Sequence, residues 1–204
     1  MLASRLLWLR RLSVLCVALT VVLMGLGAWV KANSAGGACP DWPACYGRLL
    51  PPFPSQENGE LYHGAPVGYT EAQDLYEWTH RAVVSLLFVP VAAFAIVAIA
   101  TREANRPLRQ LAAAGLALYI FQAGLGGVTV TLNPGGEPPA WAATAHLVTA
   151  TVFLVTLTVA ACFAHLKPLG EPAPAAEAPP KPRVVSFVYP DEPAGAPEAE
   201  APDA

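Results

Sequence analysis

Five consecutive residues, Glu77-Trp78-Thr79-His80-Arg81, set an acid, an imidazole and a guanidinium just ahead of a long apolar run. A second histidine, His146, stands in a later apolar run. Each histidine lies near one end of a segment long enough to cross a bilayer. Ionisable groups at such depth are costly and mark functional positions. Two neutral imidazoles on facing helices can clamp a haem iron from both sides of the porphyrin plane. One histidine alone in a membrane helix is better explained as a hydrogen-bonded structural group. Two at matched depth, beside an arginine and glycines, favour iron ligation by His80 and His146.

Glu77 precedes His80 by three residues and so shares nearly the same helix face. From there a carboxylate would point at the rim of a bound porphyrin, where it could transfer a proton or stabilise a cationic carbon. It could equally orient His80 through a hydrogen bond. Arg81 could pair a haem propionate or anchor the helix at the interface. Cys39 and Cys45, in Cys-Pro-Asp-Trp-Pro-Ala-Cys, could form a structural disulfide or a redox couple that exchanges electrons with a thiol carrier. A bridge closing so short a loop is worth roughly 2–3 kcal/mol in the chain-entropy model. Cys16 and Cys162 fall within apolar runs and read as packing residues. His63 reads as a solvated loop residue, and His165 lies at the opposite membrane face without a partner histidine.

The elements that must position these groups are membrane helices. The chain is 54% hydrophobic and 13% charged over 204 residues, with mean hydropathy +0.43. That is too apolar for an ordinary soluble domain. Its net charge of −3 and lack of a basic face exclude a nucleic-acid partner. Uncharged runs cover residues 12–30, 82–101, 110–132 and 139–166. At about 1.5 Å per residue, roughly 20 residues cross a hydrocarbon core of about 30 Å. The expected fold is therefore all-α: a polytopic four-helix membrane bundle over residues 1–166.

Arg5, Arg10 and Arg11 precede the first run, Arg102, Arg106 and Arg109 fill the second loop, and Lys167 follows the fourth run. The positive-inside rule then makes both termini cytoplasmic and the long first loop external. Trp29, Trp78 and Trp141 fall near the outer interface. Residues 1–30 also fit a cleaved signal peptide, although their apolar core is longer than such segments carry. The outer loop, residues 31–70, is long enough that a function is expected of it. Thr70 and Gln73 have the spacing of a capping box, and Pro138 and Pro139 suit the first turn of the fourth helix. His80 and His146 then lie roughly 12–15 Å along their helices on the same side of the membrane. Gly124, Gly126 and Gly127 reach that layer, where small residues admit a flat ligand or simply let helices pack. Residues 167–204, rich in Pro, Ala and Glu, are expected to be a disordered cytoplasmic tail.

Four segments in this order resemble the heme A synthase family: Ala38-Cys-Pro-Asp-Trp-Pro-Ala-Cys-Tyr-Gly47, Glu77-Trp-Thr-His-Arg81, Gln122-Ala-Gly-Leu-Gly-Gly-Val-Thr129, and His146. The resemblance covers roughly residues 22–166. It implies a haem-modifying oxidoreductase of the cell membrane that converts heme O to heme A, by stepwise oxidation of a ring methyl to a formyl group, for cytochrome oxidase. It further implies that Glu77 is catalytic, that His80 and His146 line the haem site, with haem b or heme O as occupant, and that Cys39 and Cys45 pair in connection with electron transfer. Heme O synthase and the oxidase-assembly machinery become expected contacts.

Most family members have eight spans in two similar halves, each with its own histidine pair. This chain corresponds to the amino-terminal half, and the expectation is a homo-oligomer or a second haem-binding subunit. Lys31 and Asn33-Ser-Ala-Gly-Gly37 depart from the family's Arg and Thr-Gly-Ser-Gly-Leu run. A non-enzymatic bis-histidine haem b protein or haem carrier in oxidase assembly would use the same ligands. A quinone-linked thiol oxidoreductase would carry Cys-x-x-Cys or two outer cysteine pairs, and would not need both histidines.

Overall fold

The computed structural model describes residues 2–50, 69–134 and 136–166. These fall in one compact unit, Met1–Leu169. His63, Lys167 and the expected tail lie outside the described residues. Four helices carry the architecture: α1 (Leu2–Ala32), α2 (Glu71–Ala100), α3 (Arg106–Thr131) and α4 (Ala140–His165). Among the described residues the only β pairing is one isolated bridge, between Cys45 and Arg48. All four helices are long and apolar enough to cross a membrane.

Helices α1, α2 and α3 are longer than the apolar runs that predict them, while α4 falls one residue short of its run at each end; the four measure about 39–46 Å. Polar ends account for the excess. Helix α1 takes in Arg5, Arg10 and Arg11, and α2 begins at Glu71, eleven residues before its uncharged run. The start of α2 is set by the capping box. The Gln73 backbone N–H donates to Thr70 Oγ1 (3.3 Å), and the Thr70 N–H donates to Gln73 Oε1 (3.0 Å). Both orphan N–H groups of the first turn thereby gain acceptors. Asn105 caps α3 by accepting from the Leu108 N–H, at 2.9 Å. Pro139 takes the N-cap position of α4 rather than a place inside its first turn. A proline ring supplies no side-chain acceptor, and α4 has no side-chain cap bond.

The helices pack as a ring, α1 against α2, α2 against α3, α3 against α4 and α4 against α1. Helices α1 and α3 are thus diagonal partners, as are α2 and α4. Leu86, Val89, Ile96, Ile120 and Leu147 are each 60% or more exposed. So large an apolar girdle suits a hydrocarbon surround. The interior differs along the axis. Toward the short α2–α3 turn, Leu9, Leu87, Val91, Phe94, Phe153 and Leu157 fill the centre. Tyr119 closes this apolar half, donating its hydroxyl to the Val84 carbonyl at 2.6 Å. Beyond it, toward the long first loop, the filling becomes polar.

That loop-bearing end is stitched across all four helices. Gln73 Nε2 donates to the Asn33 carbonyl (2.9 Å), tying the α2 cap to the chain leaving α1. Lys31 meets Glu137 at 2.8 Å in an exposed ion pair. Trp29 packs edge-on against Tyr76, with ring centroids 5.9 Å apart. Cys16 is fully buried, whereas Cys162 is exposed on the outside of the bundle and does not pack within it.

Candidate functional site

His80 is the tenth residue of α2 and His146 the seventh of α4, at the same end of the bundle. Because α2 and α4 are diagonal, the two histidines stand on opposite helices of the ring. The other diagonal pair supplies a glycine to each ring. A Cβ on Gly27 of α1 would stand 3.2 Å from His80 Cε1, and one on Gly126 of α3 would stand 3.1 Å from His146 Cε1. Both separations are tighter than ordinary contact, so each imidazole occupies space that a side chain would take.

The rings differ in their bonding. His80 Nδ1 is buried with no hydrogen-bond partner. His146 Nδ1 lies 3.0 Å from Gln122 Nε2, and the same amide nitrogen donates to the His146 carbonyl at 2.7 Å. Thr149 donates its hydroxyl to Gln122 Oε1, completing a network between α3 and α4.

Above this layer the first loop folds onto α2. Cys39 and Cys45 form a disulfide, and both are buried against Tyr46 and Trp78. Arg81 reaches up from α2 into the ring of backbone that the disulfide closes. Its Nη1 donates to the carbonyls of Asp41 (2.5 Å) and Ala44 (2.7 Å), its Nη2 to that of Cys39 (2.9 Å). Its Nε donates to Glu77 Oε1 at 2.9 Å, in an ion pair with both side chains largely buried. Glu77 is 6% exposed. A buried carboxylate is tolerable only when paired and hydrogen-bonded, and Arg81 meets that need while holding the loop.

Further contacts fix the loop. Asp41 accepts from the backbone N–H groups of Tyr46 (2.7 Å) and Gly47 (2.8 Å), forming a tight turn in which Tyr46 and Gly47 both take positive φ. Trp78 Nε1 donates to the Leu49 carbonyl at 2.8 Å. The Tyr46 hydroxyl meets the buried Asp74 carboxylate at 3.3 Å. Burial, reinforced by Asp74, pushes that phenol above its usual range and keeps it a neutral donor. The Tyr69 hydroxyl is raised as well, first by burial and then by Glu137 and Glu77. Trp42 lays its indole against α3 where Gly127 stands, since a Cβ there would be 3.0 Å from the ring.

Glu77, His80, Arg81, His146 and the cysteine pair are therefore gathered at one end of the bundle. The glycines divide. Gly126 faces His146 and Gly127 faces Trp42, but nothing lies within 4 Å of a Cβ on Gly124. His165 lies at the far end, its Nδ1 2.9 Å from the Ala161 carbonyl of its own helix. Gln122 and Thr149 belong to the site, although sequence reasoning gave neither a role. Gln122 opens one of the segments that resemble the heme A synthase family, and the i, i+3 spacing of Thr149 from His146 on α4 was the local signal for Thr149. Among the described residues no group of three or more His, Cys, Asp or Glu could hold a bare metal ion.

Residues 10–189 match the family of cytochrome oxidase assembly proteins. The chain belongs to that family. It is a multi-pass membrane protein. It is similar to a heme A synthase of Methylobacterium radiotolerans, 33% identical over 173 residues, or 84% of this chain and 44% of that protein. A heme A synthase of Shewanella oneidensis is 32% identical over 127 residues, covering 62% of this chain and 37% of that protein. The chain thus spans less than half the length of these curated relatives. A protoheme IX farnesyltransferase of Thermus thermophilus is 33% identical over 102 residues, 49% of this chain but 14% of that protein. No solved structure matches significantly.

Proposed function

We propose that the chain is a heme A synthase-type membrane oxidoreductase that oxidises a ring methyl of heme O toward the formyl group of heme A. The observation that carries this reading is the pair His80 and His146, set on diagonal helices at the same end of the bundle with a glycine against each ring. The donor set suits a haem. His80 leaves a buried ring nitrogen without a partner, a cost that a ligand-filled site repays. His146 has its protein bonds at Nδ1 and the carbonyl, leaving Nε2 to face a ligand.

In this reading His80 and His146 hold the haem iron, and a bound haem supplies the redox chemistry. The chain's own residues bind, orient and exclude water. Glu77, buried beside the histidine layer, is the catalytic carboxylate and takes up or returns a proton at its carboxyl oxygens. Arg81 is assigned as the residue that fixes Glu77 beneath the loop, because its bonds to three loop carbonyls and to Glu77 leave it little freedom for a haem propionate. The disulfide and Trp42 cover the site from above. The orientation follows from the basic residues: both termini cytoplasmic and the disulfide loop outside the cell membrane. The similarity to a protein named protoheme IX farnesyltransferase supports a haem-related substrate.

The test is haem extraction and chromatography from full-length protein co-expressed with a heme O source. Wild type is expected to yield heme A or a hydroxylated precursor, and Glu77→Ala to retain haem unmodified. Conversion that survives in Glu77→Ala removes the catalytic assignment. A second reading, a non-enzymatic haem b protein or carrier in oxidase assembly, would use the same two histidines. Unmodified haem in the wild-type extract favours that reading.

A further inference from the structure

The two histidines are not equivalent, and the difference lies in where their protons sit. Gln122 Nε2 is 2.7 Å from the His146 carbonyl oxygen, which can only accept. The group facing it is therefore the NH2 of the amide. Turning the amide over would bring two acceptor oxygens to that distance and would give up the contact between Gln122 Oε1 and the Thr149 hydroxyl, which also lies within reach of the Ala145 and His146 carbonyls. One amide N–H serves the carbonyl and the other points at His146 Nδ1, 3.0 Å away. Nδ1 thus accepts, and a neutral imidazole must then carry its proton on Nε2. Metal-bound histidines have the opposite arrangement, in which Nδ1–H donates and Nε2 is bare and more basic. His80 has no such constraint, because its Nδ1 has no partner.

We propose that Gln122, held by Thr149 and the His146 carbonyl, keeps His146 protonated on Nε2 and so makes it the releasable haem ligand, with His80 the retained one. The inference rests on the haem reading above. For His146 to bind iron through Nε2, the ring proton must pass to Nδ1 and the amide must rotate so that Oε1 accepts it. No proton is gained or lost and nothing is oxidised. The rearrangement costs the bonds Gln122 makes to the carbonyl and to Thr149, and it weakens ligation on that side. Such a ligand suits a haem that enters as substrate and leaves as product, not one held permanently. Gln122 acts through His146 and is a positioning residue.

The experiment loads full-length protein in detergent with ferric haem b and follows its release to excess apomyoglobin, together with the low-spin optical bands. Gln122→Glu offers only acceptor oxygens and stabilises the proton on Nδ1, so release is expected to slow by about tenfold. Thr149→Val removes one of the two groups that fix the amide and should also slow release, by less than Gln122→Glu does. Damage to the site would speed release, so slowing in either variant separates tautomer control from a merely structural role. Release at or above the wild-type rate in both variants, with His80 and His146 still giving a low-spin spectrum, overturns the proposal. If wild-type protein takes up no haem, the haem reading itself falls.

Discussion

The two halves of the bundle are made by the same four helices but are filled in opposite ways. Toward the α2–α3 turn, Leu87, Val91, Phe94, Phe153 and Leu157 meet at the axis and leave little room for anything else. Beneath the first loop the axis is approached by His80 and His146 over Gly27 and Gly126, with Glu77, Arg81, Gln122 and Thr149 around them. The first half is held by close packing, the second by directed hydrogen bonds and a loop laid over the top. The contrast suggests a division of labour: one half keeps the helices in register so that the other can keep its polar groups and still not collapse.

The largest expected effect lies in the packed half. Phe94→Ala should destabilise the protein by about 3–5 kcal/mol, seen as a lowered thermal midpoint in detergent, while the haem spectrum of the surviving folded protein stays unchanged. A spectral change there would break the division between halves. In the loop-covered half, Cys39→Ser should cost about 2–3 kcal/mol in the chain-entropy account. Amide hydrogen exchange should show that cost confined to residues 39–47. Arg81→Lys keeps the charge but cannot reproduce the four directed bonds, of the charged kind that contributes about 1.5–3 kcal/mol each. Exchange in the same loop segment should rise at least tenfold, with the packed half unaffected.

The glycines sharpen the comparison further. Gly126→Ala puts a methyl 3.1 Å from His146 Cε1 and should displace that ring, read as a several-fold loss of haem affinity. Gly124→Ala, only two residues away, meets nothing within 4 Å. It should leave haem binding alone and change stability by no more than about 1 kcal/mol, in the stabilising direction. Equal effects at the two positions would mean that this half is not shaped around the histidine rings.

Much of this architecture was legible in the sequence because membrane helices announce themselves through uninterrupted apolar length. The four runs, the capping box at Thr70 and Gln73, and the shared depth of His80 and His146 all follow from local pattern. The ring order that makes α2 and α4 diagonal does not, since it depends on which faces pack. The role of Arg81 was hidden for a related reason. Its partners are backbone carbonyls of Cys39, Asp41 and Ala44, which carry no side-chain signature. Gln122 and Thr149 were obscured because a threonine in an apolar helix bonds to its own backbone, as Thr149, Thr156 and Thr158 all do on α4, and only the fold adds Gln122 as a further partner of Thr149. Gly124, Gly126 and Gly127 looked alike in sequence, and only their neighbours distinguish them.

The most direct test is the optical spectrum of the purified full-length protein after titration with ferric haem b, compared with His80→Ala and His146→Ala. The account predicts a low-spin, bis-imidazole spectrum at one haem per chain, with that low-spin signal lost in either variant while both remain folded. A wild-type protein that binds no haem, or one whose low-spin spectrum survives both substitutions, would contradict it.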